Sequence, residues 1–338
     1  MNPLVQLICT IPIYFNTTIC SLYCSLDPPS YTYENLVIQP FTVNKRICPI
    51  DPNRDTIFQA YTRNNPDNPT ILRTGDVAAV AKSNLTNSNC LVVFFHGFMA
   101  SSNSPNSQKL KNAILNTTDC DVILVDNEKL LAAFDYFTAC ANIEPIAEFS
   151  AAFMDNLLIQ IGPKSLYFVG TSIGGHIAGL TSRKMTNGTV QILYGEDVAG
   201  PILDFLPQSQ RIGKGDAKFV VIIHSNMFVF GSFRLAGDVD IFINNGIVQF
   251  NCFDQPLSTP LPKLILCSHL TSIAIFNTAI LQPDRYPMTK CNSYIEPIIG
   301  PCSIQSNVLF GDFFSESSPL LSLSGIMRIS TTDTILST

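Results

Sequence analysis

The chain has 338 residues, of which 46% are hydrophobic and only 14% charged, against roughly 25% charged residues in an average soluble domain. So apolar a composition excludes disorder as the organising state. A formal net charge of −6 gives none of the basic footprint that a nucleic-acid binder carries.

Low charge leaves membrane insertion to be tested, and the N-terminus is the first place to look. No charged residue occurs between Met1 and Leu26. Leu4 to Phe15 is mostly apolar, but Thr10 and Pro12 interrupt it and Asn16-Thr17-Thr18 ends it. That is short of the roughly 20 residues a spanning helix needs. Residues 1–20 read instead as a secretory signal, although a basic start is missing. Elsewhere the longest apolar runs are of strand length, which predicts no bundle of spanning helices. Eleven cysteines without a C-x-x-C pair favour an oxidising compartment over a zinc site. Sequons at Asn16, Asn84, Asn116 and Asn187 add weak support for a secreted glycoprotein.

Further along, five continuous apolar runs predict strands: Leu91–Phe95, Asp121–Val125, Leu166–Val169, Val190–Leu193 and Phe219–Ile223. Runs that do not alternate with polar residues mark strands buried on both faces of a parallel sheet. Helical patterns fall between them, near Ile143 to Ile161 and Ile173 to Met185. The repeated strand–helix–strand order predicts an α/β fold with a mostly parallel central sheet covered by helices on both faces. No internal repeat and no low-complexity linker interrupts it.

Between one such strand and the helix after it lies Gly170-Thr171-Ser172-Ile173-Gly174. A G-x-S-x-G run in that context is the sharp turn that exposes a nucleophilic serine above an α/β sheet. Serine needs a base to take its proton and an acid to orient that base. Only four histidines exist. His96 precedes the serine, and His176 lies one helical turn beyond it, aimed away from the active face. The chain order serine, acid, histidine keeps His224 and His269. His269, in Leu266-Cys-Ser-His-Leu270, is expected in a post-strand loop, where catalytic residues are usually displayed, and is favoured. Glu196 and Asp197 both stand at the carboxyl end of the Val190 strand, and residue type alone does not separate them. The amides of Ile173 and of Phe98, after the strand ending at Phe95, are the expected oxyanion donors.

These residues resemble the pancreatic-lipase-like family of secreted lipases and phospholipases A1, over about Val92 to Cys302. The matching segments, in order, are His96-Gly97-Phe98, Val125-Asp126, Gly170 to Gly179, Asp197-Val-Ala-Gly-Pro201, Asp216 to His224, Val239 to Gly246, and Cys267-Ser-His269. The resemblance implies an α/β-hydrolase fold and a triad of Ser172, Asp197 and His269. It places His224 outside the triad. It also implies a lid between disulfide-bonded Cys252 and Cys267, and a second disulfide joining Cys291 to Cys302. The 14 residues between Cys252 and Cys267 make a short lid, like those of the phospholipase A1 branch.

The departures are specific. Thr171 stands where the family has histidine, Val198 where it has proline, and Asn127 where it has tryptophan, a residue this chain lacks altogether. The family's calcium segment aligns with Gln208 to Asp216. Arg211 and Asp216 are kept, while Gln208 and Gly213 replace acidic ligands, which argues against a metal site. Only 36 residues follow Cys302, so residues 21–338 are expected to form one lipase domain without a C-terminal β-sandwich. The expected activity is lipid carboxylic-ester hydrolysis of the triacylglycerol-lipase type, at a membrane or lipid-droplet surface. No cofactor, nucleic acid or colipase is expected. Phospholipase A1 activity and a non-catalytic lipid-binding relative are the alternatives.

Overall fold

The computed structural model describes residues 52–85, 88–131, 136–254, 259 and 261–333. The expected signal segment, the Asn16 sequon and five residues of the expected lid (255–258 and 260) lie outside them.

Eleven strands form one sheet: β1 (Ile57–Tyr61), β2 (Thr70–Leu72), β3 (Cys90–Phe95), β4 (Asp121–Asp126), β5 (Ser165–Thr171), β6 (Val190–Glu196), β7 (Phe219–His224), β8 (Val239–Ile243), β9 (Pro287–Cys291), β10 (Ile304–Leu309) and β11 (Gly325–Ile329). Their spatial order is β10-β9-β11-β8-β7-β6-β5-β3-β4-β1-β2. From β4 across to β11 every neighbouring pair is parallel. Antiparallel strands close both edges. The five apolar runs are β3 to β7, each a residue or more longer than its run.

Burial on both faces follows from period-two geometry. In β3, Leu91, Val93 and Phe95 enter one core with residues of α2 (Ile143–Ile161) and α3 (Ile173–Lys184). Val92 and Phe94 enter the other, against α1 (Pro105–Thr117) and α4 (Leu261–Leu281). Among the described residues, α4 alone is long and apolar enough to cross a membrane, but its apolar stretch is 72% buried within the protein. It is a core helix, and its lack of any charge after Lys263 reflects burial all round.

His269 belongs to α4, not to a loop as its Cys-Ser-His setting led us to expect. The reason is visible in the rest of the helix: Ile273, Ile275, Phe276 and Ala279 are all buried, and their packing carries the helix through the polar Ser268-His269 pair. Cys267 is helical too and bonds Cys252, so the expected lid becomes helix from Leu261 onward. Two further disulfides join Cys90 to Cys120 and Cys291 to Cys302.

Phe276 anchors α4 on the sheet. Its ring stacks on Phe313 at 4.3 Å and lies 5.1 Å from Tyr194. Truncation at a fully buried aromatic loses transfer energy and leaves a cavity. Phe276→Ala should therefore lower stability by about 3–5 kcal/mol, read as a shifted midpoint with unchanged slope in denaturant unfolding.

Candidate active site

The carboxyl ends of β3, β5, β6 and β7 lie side by side, with Phe95 opposite Gly170, Thr171 opposite Glu196 and Glu196 opposite Ile223. The residues that follow those ends build the site. Ser172 occupies the single-residue turn between β5 and α3, with φ 55° and ψ −124°, a conformation that L-residues hold only under surrounding constraint. Its amide donates to the Glu196 carbonyl at 3.0 Å. The turn is tight enough that any Cβ at Gly174 would run into the Phe95 carbonyl. Gly97 lies against the serine side chain, since a Cβ there would come within 3.1 Å of Ser172 Cβ.

Asp197 follows β6 at φ 41° and is fully buried. Its Oδ1 accepts from the amides of Ser225 at 2.8 Å and Asn226 at 3.0 Å, both just beyond β7. Its Oδ2 accepts from His269 Nδ1 at 2.6 Å. With Nδ1 donating to the carboxylate, Nε2 is the ring nitrogen that can accept a proton. Of the two downstream histidines, His269 meets Asp197, whereas His224 meets Asp240 at 2.8 Å and the Ser232 carbonyl at 3.2 Å. The other two are also occupied: His96 accepts from the Asn127 amide at 2.9 Å. His176 accepts from the Ile212 amide at 3.2 Å and lies 2.8 Å from the Ala199 carbonyl. Burial lowers the His176 pKa to about 4, which keeps it neutral.

Glu196, the other candidate acid, is turned to a different partner. Its Oε2 accepts from Thr171 Oγ1 at 2.5 Å, so the residue in the family's histidine position has a mate in the neighbouring strand. Burial pushes the Glu196 pKa up to about 7, against the pull of that hydroxyl. Ile173 is the first residue of α3, where helix geometry leaves amides without intrahelical acceptors. Phe98 is half-buried, its ring 5.6 Å edge-on to Tyr136.

Three supporting residues carry no motif that sequence reasoning could use. Gly231 passes so close that a Cβ would collide with the Asp197 carboxylate. Gln249 is fully buried and ties together three elements: its side chain donates to the Ser225 and Ile243 carbonyls at 3.0 and 3.1 Å, and its amide donates to Ser268 Oγ at 3.0 Å. Phe230 sets its ring 5.6 Å from the His269 ring.

In the 208–216 loop, where the resemblance places calcium ligands, the donor set does not fit the ion. Gln208 turns its side-chain amide to the Lys214 carbonyl at 2.9 Å, Gly213 offers no side chain, and Asp216 is held by Arg183 at 2.7 Å.

A mostly parallel sheet flanked by helices, with Ser172 on a strand–turn–helix elbow, defines an α/β-hydrolase fold. The lipase family model matches residues 35–303, and this chain belongs to that family. Lipase member H of Xenopus tropicalis is 29% identical over 252 residues, covering 72% of this chain and 52% of that protein. The pancreatic triacylglycerol lipase of Myocastor coypus is 27% identical over 267 residues, covering 74% and 58%. The chain thus spans about half the length of these curated relatives. Among solved structures, an esterase of Pyrococcus furiosus shares 11% identity over 42% of this chain and 63% of its own, at a TM-score of 0.31.

The Glu196 shift has a thermodynamic signature. A carboxyl whose folded pKa lies above its unfolded value binds more protons in the native state, so stability falls as pH rises through the interval between the two. From about 4.5 to about 7 this amounts to roughly 3 kcal/mol. Glu196→Gln keeps the shape without the titration. The difference between its pH–stability curve and that of the unsubstituted chain should change by about that amount across this window and be flat outside it.

Proposed function

We propose that this chain is a lipid carboxylic-ester hydrolase working through an acyl-enzyme. The observation that carries the reading is the 2.6 Å hydrogen bond between His269 Nδ1 and buried Asp197, in a chain whose Ser172 stands on the strained elbow. Ser172 Oγ attacks the acyl carbonyl while His269 Nε2 takes its proton. Asp197 holds the ring and stabilises the imidazolium that forms. The amides of Ile173 and Phe98 receive the oxyanion, each such donor lowering the barrier by roughly 3–4 kcal/mol. Collapse of the intermediate releases the alcohol, which takes the proton from His269. Water, deprotonated by the same nitrogen, then hydrolyses the acyl-serine and restores the hydroxyl.

Exposed apolar side chains border this machinery and support a lipid substrate. Phe228 is 58%, Phe250 70% and Leu261 61% exposed, on the segments that carry Phe230, Cys252 and His269. All described strands join one sheet, which supports reading residues 21–338 as one catalytic unit. Three disulfides fit secretion into an oxidising compartment.

Phospholipase A1 activity is the second reading, favoured by the 14 residues between the bonded Cys252 and Cys267, a short span where the resemblance places a lid. Release of the sn-1 chain from phospholipid vesicles, set against release from triacylglycerol emulsions, decides between the two.

Purified Ser172→Ala should lose labelling by a fluorophosphonate probe, and its ester turnover should fall by about 10⁴–10⁶-fold. Asp197→Asn, which leaves the ring in the wrong tautomer, should lose about 10⁴-fold in kcat. Retained labelling of folded Ser172→Ala would exclude this serine as the nucleophile.

A further inference from the structure

The loop from Gln208 to Asp216 directs several oxygens at one point, as a hard cation requires, but a side chain holds that point. Arg183, in the last turn of α3, donates from Nη1 to the Gln208 and Ser209 carbonyls, both at 3.0 Å. Its Nη2 donates to the Arg211 carbonyl at 3.0 Å, and its Nε to Asp216 Oδ1 at 2.7 Å. The remaining carboxylate oxygen of Asp216 accepts from the Gly213 amide at 2.8 Å. A divalent calcium ion needs 6–8 oxygens with carboxylates among them. Here the one carboxylate and the converging carbonyls are already engaged by a planar fork of donors bearing a fixed charge.

We propose that the Arg183 guanidinium is a built-in cation that closes the 208–216 loop, making the loop independent of calcium. The arrangement reaches toward the active site. Ile212, inside the loop, donates its amide to His176 Nδ1, and His176 lies two helical turns before Arg183 on α3. The other nitrogen of His176 faces the Ala199 carbonyl, two residues beyond Asp197. Arg183 therefore fastens a loop that in turn steadies the segment following the triad acid. It is a positioning residue, and loop closure is its effect.

Thermal unfolding of the full chain tests this without reference to ester turnover, so the outcome is separate from that of the proposed function. The unsubstituted protein should melt at the same temperature in excess EDTA as in calcium chloride and should carry no stoichiometric calcium by elemental analysis. A Tm that falls in EDTA, or calcium bound one per chain, would overturn the proposal. Arg183→Ala should lower Tm by about 5–10 °C, and an unchanged Tm would also overturn it. Arg183→Lys keeps the charge but loses the fork, so it should melt below the unsubstituted protein; equal melting would remove the role assigned to the guanidinium. The triple variant Arg183→Ala, Gln208→Glu, Gly213→Asp restores carboxylates and vacates the point. A Cβ at Gly213 meets only the flexible end of Gln208. This variant should gain a Tm that rises with calcium, and no response would count against a cation-equivalent position.

Discussion

The buried carboxylate of Asp197 is the constraint around which the site is organised. An ionised carboxylate removed from water is unfavourable by several kcal/mol unless donors replace its hydration. Its three donors come from different parts of the chain: the Ser225 and Asn226 amides after β7 and the imidazole of His269 on α4. Satisfying one charge therefore fixes the end of β6, the end of β7 and the angular setting of α4 at once. Gly231 lies against the same carboxylate, and Gln249 couples the post-β7 backbone to Ser268 beside the histidine. The hydrogen bond to Nδ1 is then no isolated contact but the closing member of a set that has little freedom left.

How far this was legible in the sequence differs by element. The strands β3 to β7 were readable because parallel strands buried on both faces leave unbroken apolar runs. The edge strands were not: β10, Ile304–Leu309, has no buried residue, and β9 carries Pro287 and Lys290. Nothing in such segments distinguishes a strand from a loop until a neighbour supplies the pairing. His269 was singled out by chain order and resemblance, while its helix was missed because the Cys-Ser-His run looks like a turn in isolation. The helix exists because of apolar residues downstream, whose burial is a tertiary fact. Gly231, Gln249 and the two amides on Asp197 act through backbone or through distant pairing, and neither leaves a spacing signal.

Thr171 and Glu196 illustrate a different kind of hidden information. Read singly, Thr171 is a departure from the family's histidine beside the nucleophile. In the sheet it faces Glu196 in register and donates to it. A buried carboxyl placed one residue before Asp197 would disturb the Asp197–His269 hydrogen bond if it competed for the imidazole. Its environment prevents that: Glu196 gains one hydroxyl donor and a raised pKa of about 7, while Asp197 collects two amides and the ring. Adjacent carboxyls are thus given separate tasks by unequal hydrogen bonding, the general means by which proteins assign protonation states to like groups.

The same logic extends from the site to its supports. The Ser172 elbow is strained, and strain persists only where surrounding structure over-determines it. Here the restraint comes from α3, whose first residue follows Ser172 and whose later turns are tied down by His176 to Ile212 and Ala199, and by Arg183 to Asp216 and three carbonyls. A helix held at both of these points cannot rotate or slide without breaking bonds to charged or buried groups, so the elbow at its start keeps its geometry. Because the holding charge is covalent rather than bound from solution, that rigidity does not vary with the ions available. The sheet supplies the positions of Ser172 and Asp197, and the polar anchors along α3 supply their persistence.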